Sequence, residues 1–133
     1  MQSEQTRPAS ESRNRAALRW VTTDNGRVLA DSVRLANTFW RRMVGLQFCR
    51  SLPAGEVLWL KNCRSVHTAW MRFPIDVFFL DESMCVVEVR RGVRPWRVVR
   101  PQSDEARHVI ERQTLESVEI IQAGLQTTME EER

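Results

Sequence analysis

Three residues with soft ligand atoms follow one another at intervals of four: Cys63, His67 and Met71. Thiolate, imidazole and thioether are the donors that soft ions such as Cu(I) prefer. In an extended segment all three side chains lie on one side, but the outer two are up to about 13 Å apart. A single ion would need a bend in the chain, and a structural zinc would need further ligands, for example Cys49 or Cys85. Buried packing with a hydrogen-bonded histidine is the simpler interpretation, so we expect no cofactor.

Cys63 and His67 also offer the pair of groups used in nucleophilic catalysis. That chemistry needs the thiolate and the imidazole in hydrogen-bonding contact, and a third group that orients the ring. No glycine lies between the two residues to shape an oxyanion hole. We therefore expect a binding or accessory protein rather than an enzyme.

The residues around Met71 suggest a site for a small ligand or a peptide, which is the leading functional hypothesis. Asp76 opens an apolar strand, where a carboxylate must be solvated, bonded to backbone or paired with an arginine such as Arg72. Trp70 and Met71 could form a pocket floor, with His67 and Asp76 as polar contacts. Metal handling by Cys63, His67 and Met71 is the alternative. The candidate ligand-binding residues are His67, Trp70, Met71, Arg72 and Asp76.

An arginine-rich segment around Trp96 forms a second candidate surface. Arginines with an interleaved tryptophan can bind phosphates and stack on bases. Glu88, Asp104 and Glu105 flank the segment as partners for its arginines, and no named nucleic-acid motif is present. An anion or nucleic-acid contact is therefore the third hypothesis. Its candidate residues are Arg90, Arg91, Arg94, Trp96, Arg97 and Arg100.

The composition is typical of one globular domain. The 133 residues are 42% hydrophobic and 28% charged, with a net charge of +3 that does not by itself indicate a nucleic-acid partner. No apolar run reaches the ~20 residues of a membrane span, and the N-terminus lacks the apolar stretch of a signal peptide. We expect a cytoplasmic protein with a disordered tail at 1–16, a single β-rich domain at 17–129 and a charged end at 130–133.

Strand patterns dominate the chain. Asn25-Gly26 indicates a hairpin turn between predicted strands at 17–21 and 27–35. A continuous apolar run predicts a strand covered on both faces at 75–80, with Ile75, Val77 and Phe79 on one face. Asp76, Phe78 and Leu80 then lie on the other face. Further strands are predicted at 57–60, 84–89, 108–111 and 125–129.

Two short helices are predicted between the strands. Phe39, Met43 and Leu46 have helical spacing, and a second helix is expected at 114–124, ending at Gly124. A small barrel would hide the strand edges best. The predicted fold is thus mainly β (α+β), a small β-barrel-like domain with two short helices.

Several blocks between Leu35 and Glu111 resemble one protein family. The blocks are RRMVGLQF, HTAWMRFPIDVFFLD, VVEV, RPW and VIE. They resemble the bacterial and archaeal family called domain of unknown function 192, in its branch with Cys-Arg-Ser-Val-His ahead of Trp-Met. The family pattern has Leu-Glu-x-x-Gly near its end, whereas Arg112, Gln113 and Thr114 follow Glu111 here. The resemblance implies a compact, mostly β fold, frequently exported or membrane-associated in other members, without an established activity.

Overall fold

The computed structural model describes residues 18–35, 52–68 and 71–131, and within these ranges it contains ten β-strands and no helix. The predicted tail, the helix predicted around Met43, Cys49 and Trp70 lie outside the described residues. In chain order the strands are β1 (Leu18–Thr22), β2 (Val28–Ala30), β3 (Ser32–Leu35), β4 (Glu56–Leu60), β5 (Val66–His67), β6 (Ile75–Leu80), β7 (Val86–Val93), β8 (Val98–Val99), β9 (His108–Gln113) and β10 (Thr127–Glu131).

The ten strands form three sheets. The largest has five strands in the order β3-β4-β9-β6-β7, the second has the order β10-β1-β2, and β5 pairs with β8 in a two-stranded ribbon. Strands β3 and β4 run parallel, and the other ladders are antiparallel. The five-stranded sheet is the scaffold on which the other two sheets are arranged.

Strand β6 lies inside the five-stranded sheet and is buried along its whole length. Ile75, Val77 and Phe79 belong to one hydrophobic cluster. Phe78 and Leu80 belong to a second cluster on the opposite face. Because successive side chains of a strand point to opposite faces, β6 contributes side chains to both hydrophobic clusters. The prediction of a strand covered on both sides is confirmed.

The strand predicted at 27–35 is two strands, divided at Asp31. Residues before it pair with β1, whereas residues after it pair in parallel with β4. The amides of Asp31 and Ser32 both donate hydrogen bonds to the carbonyl of Gly55, at 3.0 and 3.1 Å. Gly55 has a φ of 90°, and a Cβ there would lie 2.8 Å from the Asp31 carboxylate. This tertiary contact moves the chain from one sheet to the other.

The prediction of a helix at 114–124 is wrong. The segment consists of turns, and two of its carbonyl groups accept hydrogen bonds from arginine side chains. Arg112 donates to the Glu119 carbonyl at 2.7 Å, and Arg91 donates to the Ile121 carbonyl at 2.8 Å. An isolated helix of this length is marginal, so contacts with β7 and β9 outweigh the helical spacing. No helix within the described residues is long and apolar enough to span a membrane.

The prediction of a small barrel-like domain is also wrong. Strand β7 ends the five-stranded sheet, and strand β10 ends the three-stranded one. Between these edges the described residues form one isolated bridge, between Cys85 and Gln126. Val86 adds backbone hydrogen bonds to Leu125 and Gly124, and the Thr127 amide donates to the Met84 carbonyl at 3.2 Å, but β7 and β10 themselves do not pair. Within the described residues the two sheets therefore stay open, and a few loop hydrogen bonds rather than a continuous ladder connect these edges.

Candidate functional site

The ribbon of β5 and β8 joins the two segments that the sequence singled out. Val66 pairs with Val99, and His67 pairs with Val98. Val66 and Val99 are buried in the hydrophobic cluster that also contains Met71, whereas His67 and Val98 are exposed. Because strand side chains alternate between faces, one side of the ribbon is core and the other faces solvent.

Thr68 locks the residues after β5 to the arginine-rich loop. Its side chain is fully buried, and its hydroxyl donates to the Arg94 carbonyl at 2.7 Å and accepts from the Arg97 amide at 2.8 Å. Its backbone amide donates to the Arg97 carbonyl at 2.8 Å, and its carbonyl accepts from the Trp96 amide at 3.0 Å. The loop is thus held in one conformation by a residue that sequence reasoning did not select. In the sequence, the short polar side chain of Thr68 among larger residues was the sole signal of this role.

The exposed residues of this unit include aromatic, apolar and cationic groups. Trp96 is 59% exposed and has a φ of 66°, and Val98 is 63% exposed. Arg94 and Arg97 are exposed beside them, and His67 lies across the ribbon from Val98. We call His67, Arg94, Trp96, Arg97 and Val98 the arginine–tryptophan surface.

Two other arginines of the loop, Arg90 and Arg91, have individual partners. Arg90 forms a salt bridge with Glu88, and its guanidinium donates to the Arg100 carbonyl at 3.4 Å. Arg91 is held by the Ile121 carbonyl. In the described part of the chain, the salt bridges include none to Arg94, Arg97 or Arg100. Glu88 therefore neutralises one end of the loop and leaves the end near Trp96 cationic.

Positive and negative charges are also distributed unevenly along the sequence. Residues 57–75 and 89–103 contain eight of the 20 arginines and lysines and none of the 17 aspartates and glutamates. The turn at the opposite end of β6 is acidic, with Asp81 and Glu82 lining a cleft beside Glu105. The small net charge therefore conceals two stretches of sequence, each containing part of the ribbon, that carry only positive charges.

The three soft ligand atoms do not converge. Cys63 and Met71 are buried in the hydrophobic core, and the Cys63 thiol donates to the Ser65 carbonyl at 3.1 Å. His67 is exposed on the outer side of the ribbon. The described residues contain no group of three histidine, cysteine, aspartate or glutamate side chains that could hold a metal ion.

Asp76 lies in the opposite layer from Met71 and is fully engaged. Its carboxylate accepts from Arg112 Nε at 3.0 Å, from the Gly92 amide at 3.0 Å and from the Thr114 hydroxyl at 2.7 Å. Arg72, the arginine nearest in sequence, is exposed. The geometry therefore separates Asp76 from His67 and gives it a bridging position between β6, β7 and β9.

Glu111 is a buried acid that residue-by-residue reasoning did not single out. It lies in β9 with Leu58 and Val77 as cross-strand neighbours, and it is 5% exposed. Burial raises the pKa of Glu111 to about 8, so the carboxyl is mostly protonated at neutral pH. A charged residue at the end of the apolar run HVIE was the signal that could have identified it.

The sequence was compared with known families and proteins. Residues 20–123 match the domain of unknown function 192 family, described as Uncharacterized ACR. The chain belongs to this family. A UPF0127 protein of Thermococcus sibiricus is 34% identical over 95 residues, which cover 68% of this chain and 60% of that relative. A UPF0127 protein of Pyrococcus horikoshii is 37% identical over 82 residues, covering 59% and 70% respectively. This family member thus spans about three fifths of the length of the Thermococcus relative.

Two solved structures share the fold of this family member. A protein of unknown function from Novosphingobium aromaticivorans has a TM-score of 0.68 and 16% identity, and the match covers 84% of this chain and 83% of that one. A putative transcription regulator from Sinorhizobium meliloti has a TM-score of 0.67 and 17% identity, covering 86% and 93%. At these identities the likeness concerns the fold alone.

Proposed function

We propose that this protein is a binding module, and that a carboxylate-bearing small molecule or peptide docks on the arginine–tryptophan surface. The observation that carries the proposal is the pairing of His67 with Val98. This pairing places the ligand-binding candidate His67 opposite Val98, and the next residue, Thr68, is hydrogen-bonded to the backbone of the anion-binding candidates Arg94, Trp96 and Arg97. Two hypotheses that were separate in the sequence therefore become one site.

The chemistry of the surface favours an anion that carries an apolar group. A guanidinium can form two parallel hydrogen bonds with a carboxylate, and an exposed indole offers a large apolar face. Arg94 and Arg97 lack a salt bridge within the described residues. A ligand carboxylate would thus not have to displace an internal acid from either of them.

The buried hydrogen bonds of Thr68 support this proposal because they hold the loop in place before binding. A ligand that meets a preformed surface loses less free energy to the ordering of loops and side chains. Trp96 is oriented by the bond from its amide to the Thr68 carbonyl. The surface therefore resembles a prepared site more than a freely moving loop.

The test is the binding of a fluorescein-labelled hexaglutamate, followed by fluorescence anisotropy. The double variant Arg94→Gln/Arg97→Gln should bind about tenfold more weakly, because charge-assisted hydrogen bonds are lost. The matched control Arg27→Gln/Arg34→Gln removes the same charge from exposed arginines elsewhere and should bind like the wild type. Equal losses in both variants would mean that only net charge matters. Tighter binding of a single-stranded oligonucleotide of equal charge would also contradict the proposal.

A further inference from the structure

We infer that the partner is an extended acidic peptide that adds as a third strand to the free edge of β8. This inference rests on the proposed function, since it uses the same arginine–tryptophan surface. It goes further by naming the class of ligand and the backbone groups that would recognise it.

Among the described residues, the backbone of β8 pairs with β5 along one edge and with no strand along the other, where the Arg100 carbonyl that follows β8 accepts from the Arg90 guanidinium at 3.4 Å. The carbonyl of Arg97 faces β5, because it accepts from the Thr68 amide at 2.8 Å. In an antiparallel ladder, consecutive residues direct their N–H and C=O groups to opposite edges. The backbone groups of Val98 therefore point away from β5. Among the described residues, no strand pairs with β8 on that side.

The side chains along this edge fit a peptide with alternating residue types. Trp96 lies in the turn just before β8, with a φ of 66°, and both it and Val98 are exposed, so two apolar groups lie near the start of this edge. Arg94, Arg97 and Arg100 are exposed around them. A strand whose valines or leucines face Trp96 and Val98, and whose remaining residues are acidic, would match both features.

The charge distribution also argues for a partner that carries several negative charges. The ribbon and its loop lie within residues 57–75 and 89–103, which contain eight cations and no acid, and of these cations Arg90 is paired with Glu88 and Arg91 is bonded to the Ile121 carbonyl. One small carboxylate would meet only part of that region, whereas an extended peptide of eight residues spans about 26 Å. In strand addition, main-chain hydrogen bonds supply affinity, and alternate side chains of the peptide supply specificity.

The decisive experiment uses a labelled, end-capped peptide of eight alternating glutamates and valines. Two isomers of this peptide carry N-methyl groups on every second residue, either on the valines or on the glutamates. In an extended peptide the N–H groups of alternate residues point to the same edge, so the valine N–H groups lie along one edge and the glutamate N–H groups along the other. The isomer that is methylated on the edge facing β8 should bind about tenfold more weakly, and the other isomer should bind like the parent peptide. Equal binding by all three peptides, or equal loss in both isomers, would overturn strand addition.

A variant of the protein tests whether the backbone of Val98 takes part in peptide binding. Val98→Pro removes an N–H that points away from β5, so the melting temperature should hold while the parent peptide binds about tenfold more weakly. Val98→Thr keeps the N–H and the branched shape, so it should retain most of the binding. Full binding by a folded Val98→Pro variant would overturn the inference. If Val98→Pro unfolds, the two methylated peptides still decide the question.

The two proposals fail in different ways. If hexaglutamate binds through Arg94 and Arg97 but N-methylation has no effect, the anion-binding function stands and strand addition is wrong. If neither hexaglutamate nor the alternating peptide binds, both proposals are wrong.

Discussion

Asp76 and Arg112 form a buried ion pair across the ladder between β6 and β9, with 3.0 Å between Arg112 Nε and Asp76 Oδ2. The side chains are 4% and 7% exposed, respectively. The same guanidinium lies 5.0 Å from the centre of the Phe78 ring and donates to the Glu119 carbonyl. One pair of residues thus links β6 to β9 and holds the 114–124 segment in its non-helical conformation.

Removing one member of this pair should be costly. Arg112→Met leaves the Asp76 carboxylate buried without its counter-ion, which typically costs about 3–5 kcal/mol of unfolding free energy. Urea denaturation followed by circular dichroism measures this change. Arg34→Met breaks an exposed pair with Glu56 and should cost less than about 1 kcal/mol. Similar losses of unfolding free energy in the two variants would show that the buried pair stabilises the protein no more than the exposed pair does.

Glu111 should make stability decrease as pH rises. Its folded pKa of about 8 exceeds the value of 4.5 that an unperturbed carboxyl has, so the folded state binds more protons between these values. The unfolding free energy should therefore fall between pH 4.5 and 8, by up to about 1.4 kcal/mol per pH unit. Below pH 4.5 the stabilising contribution of the protonated Glu111 carboxyl is fully present, and above pH 8 it is lost.

The isosteric variant Glu111→Gln isolates this effect. It should match the wild type near pH 4.5 and be more stable at pH 8. The pKa of His108 is lowered by its burial and by Lys61, so this residue adds a dependence of opposite sign as pH falls below about 6.5. The difference between the two proteins cancels that contribution. A difference that stays constant with pH would refute the assignment.

Phe79 should carry a large share of the core packing energy. Its side chain is fully buried in β6, and Phe79→Ala should cost about 3–5 kcal/mol in urea unfolding. Ile120→Ala is the control, because Ile120 is 67% exposed and should change stability by about 0.5 kcal/mol or less. A loss under about 1 kcal/mol for Phe79→Ala would mean that β6 is not a core strand.

Cys63 should act as a packing residue and not as a metal ligand. Elemental analysis of purified protein should find no stoichiometric copper or zinc, and Cys63→Ser should leave that result unchanged. The substitution should lower stability modestly, because it places a hydroxyl among apolar side chains. Stoichiometric metal that disappears in both Cys63→Ser and His67→Ala would instead favour the metal-handling hypothesis.

The sequence by itself determined the buried strand β6, the first hairpin and the family. The apolar run at 75–80 predicts a strand buried on both faces because alternation leaves no polar side, and Asn25-Gly26 predicts the first hairpin because glycine accepts the positive φ of 70°. Both features are local, so a short stretch of chain contains all the information they need. The family blocks are local in the same sense.

Only the tertiary structure decided which distant residues meet. Asp76 pairs with Arg112 and not with Arg72, because β9 and not the preceding segment lies beside β6. The helical spacing at 114–124 was overruled by two arginines from β7 and β9, and His67 met Val98 through a two-residue ladder that no local pattern encodes. Such contacts depend on strand order and register, which the packing of the whole chain sets.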